Sequence, residues 1–287
     1  IFIANQLADK NHKSATIYWP GSDVSYNGLF TSKFEKKYDR NVKGFTRLER
    51  AVKYMQSKFY NLIMVYLEDF DYFSHRYGPD DYKSRLILKE IDRGLGKIFD
   101  EALKKHEWNV IIVSDHGFKQ LELKKRIYYY EIFVGLNVTI INDGPVVGLY
   151  PQEFKNYDDL ILKSRDIVDK LNKISKNMFT AYLRDKIPLR LHYSRNNRIP
   201  PVVLIMKNGH YFFEGKYFMP GTHGWPVEDD QDMKAVFAAR GPSFKRNKII
   251  DSIRVTDIYL ISCHILKITQ MCHPHNGSLE TLKSVIE

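Results

Sequence analysis

The sequence predicts an α/β fold in which a largely parallel β-sheet is flanked by helices on both faces. Two observations lead to this expectation. Short apolar runs alternate with longer amphipathic segments along the 287 residues, and this alternation is typical of parallel sheets covered by helices. No linker rich in Gly, Ser or Pro divides the chain, and 44% of its residues are apolar. We therefore expect one domain over residues 1–287, near the upper size that a single core supports.

The order of apolar patterns locates the individual elements. Short apolar runs bounded by polar residues indicate strands, whereas apolar residues three and four positions apart indicate one face of a helix. In residues 82–105 such a stripe consists of Ile87, Ile91, Leu95, Ile98 and Ala102. Strands are predicted near residues 15–19, 61–67, 109–114, 145–149, 201–206 and 235–239, and helices near 45–58, 82–105, 157–175 and 254–266.

Three short segments supply Asp and His side chains suited to a metal site. Asp71 and His75 are four residues apart, so on one helical turn both lie on the same face and can reach one ion. Asp115 and His116 follow an apolar run that reads as a buried strand, at the end where open α/β sheets bind ligands. Adjacent strand residues point to opposite faces, so both can act as ligands only if the strand ends there and Gly117 permits a turn.

The third segment, Gly221 to Gly224, adds His223 and makes five possible ligands in total. Two neutral imidazoles and a carboxylate form an ordinary ligand set for a catalytic zinc with an open position. Any one of these segments alone is more often a surface loop or a hydrogen-bonded core pair. Together they predict a metallohydrolase with a dinuclear site.

These residues and their order resemble the ectonucleotide pyrophosphatase/phosphodiesterases, or type I phosphodiesterases, of the alkaline phosphatase superfamily. The resemblance extends nearly end to end and implies an alkaline-phosphatase-like fold. The tail, with Cys263–Leu266 and Pro274–Gly277, is most similar to the fourth and fifth members. The other matching segments are Asn5–Leu7, Trp19–Val24, Tyr66–Asp71 with His75, Tyr77–Pro79, Ile112–Gly117, Leu191–Tyr193 with Arg198–Ile199, and Gly221–Gly224, together with the single positions Met233, Ala235, Phe237, Ala239, Gly241, Pro242 and Phe244.

The resemblance implies a role for each ligand. Asp71, His75 and His223 match ligands of a first zinc ion, and Asp115 and His116 match two ligands of a second. The remaining ligands, an Asp and the Thr nucleophile, are expected upstream of Ile1, so no catalytic residue is expected in the chain. The first strand and the nucleophile helix of the fold are then lacking as well. Either these parts belong to an amino-terminal segment of the same protein or a second chain, or the protein is a degenerate relative.

The resemblance also implies a substrate and a mechanism. Two zinc ions would serve hydrolysis of phosphodiester or pyrophosphate bonds in extracellular nucleotides or dinucleoside polyphosphates, through a phosphoryl-Thr intermediate. Positions of the nucleotide pocket are matched by Trp19, Pro20, Asp23 and Tyr66, whereas Tyr38 is one residue out of register. Trp19 before a Pro-Gly turn can equally be a packing residue. Two alternatives remain: a non-catalytic protein that binds nucleotide or zinc and acts by interaction, and a phosphodiesterase of choline lipids.

Charge and cysteine content bear on partners and location. The net charge of +10 comes from Lys and Arg spread along the chain, which does not favour a dedicated nucleic-acid-binding role. Cys263 and Cys272 can pair with each other, or Cys263 with a residue beyond the chain. Asn137 and Asn276 begin glycosylation sequons, the first in a strand-like run that limits access. The resemblance implies a secreted or cell-surface protein, with any membrane tether outside this region.

Overall fold

A computed structural model of the chain describes residues 1–105, 108–215, 218–280, 283 and 285–286. The chain forms two compact units. The first unit comprises residues 1–70, 85–115 and 236–287, and the second unit comprises residues 71–84 and 116–235. The single domain expected from the sequence stays a prediction.

The described residues contain seven α-helices and twelve strands. The helices are α1 (Phe2–Ala8), α2 (Gly44–Ser57), α3 (Asp69–Tyr77), α4 (Tyr82–Lys105), α5 (Tyr129–Ile132), α6 (Tyr157–Ile174) and α7 (Asp257–Ile265). The strands are β1 (Ser14–Ile17), β2 (Leu62–Val65), β3 (Val110–Val113), β4 (Lys119–Gln120), β5 (Arg126–Ile127), β6 (Val138–Ile140), β7 (Val146–Pro151), β8 (Phe179–Leu183), β9 (Val202–Met206), β10 (Tyr211–Phe212), β11 (Gly221–Thr222) and β12 (Phe237–Arg240). Every predicted helix and strand has a counterpart whose ends agree within three residues.

In the first unit, helices cover both faces of the strands, as predicted. β1 pairs in parallel with β2, and β3 pairs antiparallel with β12. Helices α2 and α4 pack on one face, where Leu48 and Ile98 share a cluster with Ile17. Successive residues of a strand point to opposite faces of the sheet. Val110 packs in this cluster, whereas its neighbour Ile111 packs on the opposite face in a cluster that contains residues of α7.

The second unit departs from the predicted largely parallel arrangement in its main sheet, although its short β5–β10 pair is parallel. Its main sheet has the order β6-β7-β9-β8, and all three pairs are antiparallel. The cause is the placement of β9. Strands β7 and β8 flank α6 in the sequence and run in the same direction, as in a β-α-β unit, but β9 returns and inserts between them. Helix α6 packs on this sheet through Ile167 and Leu171, which belong to the unit's main core.

The two cysteines form a disulfide, which is one of the two pairings that the sequence left open. Cys263 lies on α7 and Cys272 lies nine residues further on. Cys263 is buried in a small cluster with Ala4 of α1 and Ile268. The bond therefore ties the segment after α7 to the helix itself. Among the described residues, none of the helices combines the length and the apolar character needed to span a bilayer.

Candidate metal centre

Helix α3 presents Asp71 and His75 on one face, as their spacing predicts. His75 Nε2 lies 3.5 Å from Asp71 Oδ1. The Oδ1 atom is buried although the Asp71 side chain as a whole is 41% exposed. One carboxylate oxygen therefore points inward, to the side where the imidazole also lies.

A short pair of strands brings two further imidazoles to the same oxygen. Strand β4 pairs antiparallel with β11, so that Lys119 lies opposite Thr222. His116 precedes β4 and His223 follows β11, and their rings stack with centroids 3.4 Å apart and planes 11° from parallel. His116 Nε2 and His223 Nε2 lie 3.9 Å and 3.5 Å from Asp71 Oδ1. Three imidazole nitrogens thus surround one carboxylate oxygen.

Backbone carbonyls determine which ring nitrogen faces inward. His75 Nδ1 lies 3.0 Å from the Gly221 carbonyl oxygen, and His116 Nδ1 lies 2.8 Å from that of Gly117. A carbonyl oxygen only accepts, so each Nδ1 carries the proton and donates it. In the neutral ring, Nε2 then keeps its lone pair. This arrangement of outer hydrogen bond and inner lone pair is the usual one for histidine ligands of metal ions.

The donor atoms fit a metal cation. One ligand atom each from Asp71, His75 and His223 lies within 4.8 Å of the other two. Neutral imidazole lone pairs facing a carboxylate oxygen repel it unless a cation or a proton lies between them, and two His with one carboxylate is a common zinc ligand set. The three residues predicted for a first zinc are therefore brought together. His116 lies beside them.

Phe118 forms an apolar wall against this cluster and was not predicted from the sequence. Its ring centroid lies 4.8 Å from that of His75 and 5.4 Å from that of His223. An apolar ring beside imidazoles limits the approach of water and lowers the local dielectric. Its position two residues after His116 is the only sequence signal for this role.

Two glycines allow the elements that carry the ligands to approach closely. A Cβ on Gly221 would lie 2.6 Å from the carbonyl oxygen of Ser74 in α3. A Cβ on Gly117 would lie 1.9 Å from the carbonyl oxygen of Asp232. Gly117 is absent from the residues with positive φ. A left-handed backbone is therefore not what requires glycine at position 117. The reason is the backbone of residues 232–234 packed against it.

Asp115 is the fifth predicted ligand. Strand β3 ends at Val113, and the Val236 amide donates a 2.9 Å hydrogen bond to Ser114 Oγ just beyond it. The strand end that the sequence required is therefore present. Asp115 itself is exposed and belongs to the first unit, and its role as a ligand stays a prediction.

Two of the predicted nucleotide-pocket residues belong to an aromatic cluster in the first unit. Tyr38 and Tyr66 have ring centroids 6.4 Å apart, and Tyr18, not predicted, lies 5.3 Å from Tyr38. Tyr38 as a whole residue is 42% exposed, so part of it is open to solvent. Partial burial raises the pKa of Tyr38 to about 12, with a hydrogen bond from Arg47 opposing the shift and one to Glu68 adding to it, so the hydroxyl stays neutral at physiological pH.

Arg47 of α2 holds this cluster together, a role that was not predicted from the sequence. Its side chain is fully buried. It donates hydrogen bonds to Tyr38 Oη at 3.1 Å and to the Tyr66 carbonyl oxygen at 2.9 Å. The guanidinium also lies 4.6 Å and 5.1 Å from the ring centroids of Tyr18 and Tyr38, within cation–π range.

The remaining predicted pocket residues lie in a tight turn after β1. The Trp19 carbonyl oxygen accepts hydrogen bonds from the Ser22 amide at 3.1 Å and the Ser22 hydroxyl at 2.7 Å. Trp19 is half-buried, whereas Pro20 and Asp23 are exposed. Trp19 is therefore neither a core residue nor a free surface residue. Its contact with a substrate stays a prediction.

The chain is similar to known proteins in both sequence and structure. The family model for type I phosphodiesterase/nucleotide pyrophosphatase matches residues 2–226. Human ectonucleotide pyrophosphatase/phosphodiesterase family member 5 is 31% identical over 292 residues, which cover 100% of this chain and 58% of that protein. Bis(5'-adenosyl)-triphosphatase enpp4 of Xenopus laevis is 32% identical over 293 residues, which cover 100% of this chain and 61% of that protein. The chain thus spans about three fifths of the length of these relatives.

Solved structures give the same result. Human ectonucleotide pyrophosphatase/phosphodiesterase 5 matches with a TM-score of 0.86 and 30% identity, over 100% of this chain and 74% of that chain. The inactive murine protein in complex with AMP matches with a TM-score of 0.85 and 29% identity over the same shares. These matches confirm the predicted resemblance to the fourth and fifth members and the alkaline-phosphatase-like fold.

Proposed function

The chain belongs to the type I phosphodiesterase/nucleotide pyrophosphatase family, a family of hydrolases, and from this premise we propose that it carries the metal-binding part of a zinc-dependent enzyme. The reaction is hydrolysis of a phosphodiester or pyrophosphate bond in a nucleotide or dinucleoside polyphosphate. The observation that carries the proposal is the convergence of three imidazole Nε2 atoms on Asp71 Oδ1. Because the chain spans about three fifths of its relatives, this is a proposal for the whole protein.

The donor set supports zinc at this centre. Asp71, His75 and His223 would hold a first ion, and Asp115 and His116 would provide two ligands of a second. Zinc bound there would supply positive charge beside the phosphoryl oxygens, where negative charge grows during the displacement. We propose that this displacement proceeds through the covalent phosphoryl-Thr intermediate that the resemblance implies.

The chain's own residues have three tasks in this mechanism. The carbonyl oxygens of Gly221 and Gly117 orient His75 and His116 before any ion binds, so little reorganisation is needed. Phe118 limits water beside the imidazoles. Tyr38 and Tyr66 offer aromatic faces on which a base can stack, an interaction of about 1–3 kcal/mol per base.

The substrate class rests on these aromatic residues and on the relatives. One relative is named a bis(5'-adenosyl)-triphosphatase, and another was solved in complex with AMP. We propose nucleotides or dinucleoside polyphosphates for this protein as well, with Trp19, Pro20 and Asp23 completing the nucleotide pocket.

We also propose an extracellular location, either secreted or tethered to the cell surface. The disulfide between Cys263 and Cys272 supports it, because such bonds persist in oxidising compartments. Asn137 and Asn276 are both exposed, so the limited access expected at Asn137 is not found. A glycan on either asparagine would require passage through the secretory pathway.

The test is hydrolysis by the natural full-length protein that contains residues 1–287. The protein is stripped with a chelator, restored with Zn²⁺, and assayed with a p-nitrophenyl nucleotide phosphodiester and with bis(5'-adenosyl) triphosphate. We expect activity that is lost on stripping and regained with zinc. Binding of AMP without hydrolysis by the zinc-loaded protein would favour the non-catalytic alternative, and preferential cleavage of glycerophosphocholine would favour the lipid one.

A further inference from the structure

Lys119 joins two carboxylates beside the metal centre. Its Nζ lies 3.0 Å from Asp230 Oδ2 and 2.8 Å from Asp232 Oδ2. The side chains of Lys119 and Asp230 are 26% and 11% exposed, so this pair is partly shielded from solvent. By contrast, the Lys186–Asp185 pair of the same unit is 71% and 69% exposed, and such pairs contribute little.

The acidic segment that Lys119 holds packs directly against the backbone beside two of the imidazoles. Asp230 accepts a 3.2 Å hydrogen bond from the Asp232 amide and so begins the turn at residues 231–233. The carbonyl oxygen of Met233 accepts a 3.0 Å hydrogen bond from the Gly117 amide, next to His116. The sulfur of Met233 lies 3.3 Å from the Gly224 amide, next to His223. One turn therefore contacts the neighbours of both histidines.

Lys119 belongs to the β4–β11 strand pair that lies between His116 and His223. It lies opposite Thr222 in the β4–β11 pair, three residues after His116 and opposite the residue before His223. Burial lowers the pKa of Lys119, but its hydrogen bonds to Asp232 and Asp230 outweigh burial and raise it, so the ammonium stays charged at neutral pH.

We propose that Lys119 is a positioning residue for the metal centre: by binding Asp230 and Asp232 it holds residues 230–233 against Gly117 and Gly224, and so fixes His116 and His223 around Asp71. The inference rests on the proposed zinc function, because it concerns the ligands of that site. Lys119 touches neither ion nor substrate in this account. Its effect passes through the Met233 hydrogen bonds.

The test measures zinc affinity rather than turnover. Zn²⁺ dissociation constants of the natural full-length protein are determined by chelator competition for Lys119→Met, Lys119→Arg and the control Lys186→Met. Removal of outer partners of metal ligands typically weakens binding about 10- to 100-fold. We expect a weakening of that size for Lys119→Met, near-normal affinity for Lys186→Met, and substantial rescue by Lys119→Arg, which keeps the charge. The visible spectrum of the Co²⁺-loaded protein should change in Lys119→Met alone.

The outcomes separate the two proposals. If the wild-type protein binds no zinc, the proposed function fails. If the wild type binds zinc and Lys119→Met binds it equally well, the function stands and the role of Lys119 is wrong. Should Lys119→Met fail to fold, Asp230→Asn replaces it, because the amide oxygen can still accept from the Asp232 amide while the charge is lost. Wild-type affinity in that variant would likewise overturn the inference.

Discussion

Replacement of His223 by alanine is the most direct test of the metal centre. The change removes one of three ligand atoms that lie within 4.8 Å of one another. Structural zinc sites with four ligands bind with about 10–16 kcal/mol, or about 2.5–4 kcal/mol per ligand. At about 1.4 kcal/mol for each tenfold change, we expect zinc binding to weaken by about two to three orders of magnitude.

The same change should have a small effect on the fold. The His223 side chain is 29% exposed, so its removal leaves a gap open to water rather than a buried cavity. The ring also stacks on His116, and the loss of such a contact costs about 0.5–1.5 kcal/mol. The metal-free variant should therefore unfold cooperatively, with a free energy of unfolding lower by about 1–2 kcal/mol.

The assay is competition for Zn²⁺ with a chromophoric chelator, combined with thermal unfolding of the metal-free protein. His264→Ala serves as the control, since His264 is an exposed residue in the last turn of α7. A folded His223→Ala protein whose zinc affinity lies within about threefold of the wild type, less than 0.7 kcal/mol, would refute the assignment of this ligand.

Three further changes test other parts of the account. Gly117→Ala places a Cβ 1.9 Å from the Asp232 carbonyl oxygen and should lower the free energy of unfolding by about 3 kcal/mol. In the control Gly96→Ala in α4, the new Cβ meets no atom within 4 Å and should stabilise the helix by about 0.5–1 kcal/mol. Equal effects of the two changes in urea unfolding would contradict the packing argument. Tyr66→Ala should raise the KM for nucleotide esters more than for a small phenyl phosphodiester, and equal increases would argue against base stacking. Burial lowers the pKa of His210 in the folded protein, so the unfolded chain binds a proton at higher pH than the folded chain does. The free energy of unfolding should therefore fall as the pH drops below about 6.5. An equal fall in His210→Gln would exclude His210 as the cause.

The parts of the site that depend on local spacing could be predicted from the sequence. Asp71 and His75 share a face of α3 because they are four residues apart, whatever the rest of the chain does. The end of β3 near residue 114 followed from two adjacent ligand-type residues after an apolar run. These inferences need only the geometry of one helix or one strand.

Non-local features could not be predicted in the same way. The stacking of His116 on His223 depends on β4 and β11, which have two residues each and lie about 100 positions apart, too short for any periodic pattern. The antiparallel sheet of the second unit depends on where β9 inserts, which the order of elements does not specify. The types of residue suggested that these segments form one metal site, but only the resemblance to a known family implied which ligands share an ion.

Arg47 shows why a buried charge escapes sequence analysis. A guanidinium transferred from water to a protein interior loses several kcal/mol of solvation unless other groups replace it. Here the Val42, Asp39 and Tyr66 carbonyl oxygens and the Tyr38 hydroxyl accept its hydrogen bonds, and the Tyr18 and Tyr38 rings lie within cation–π range of it. These groups converge only after folding, so one Arg in a helix looks like a surface residue beforehand. The contacts that stabilise this buried charge also hold Tyr38 and the backbone of Tyr66 in place. They therefore determine the geometry of the proposed base-binding surface.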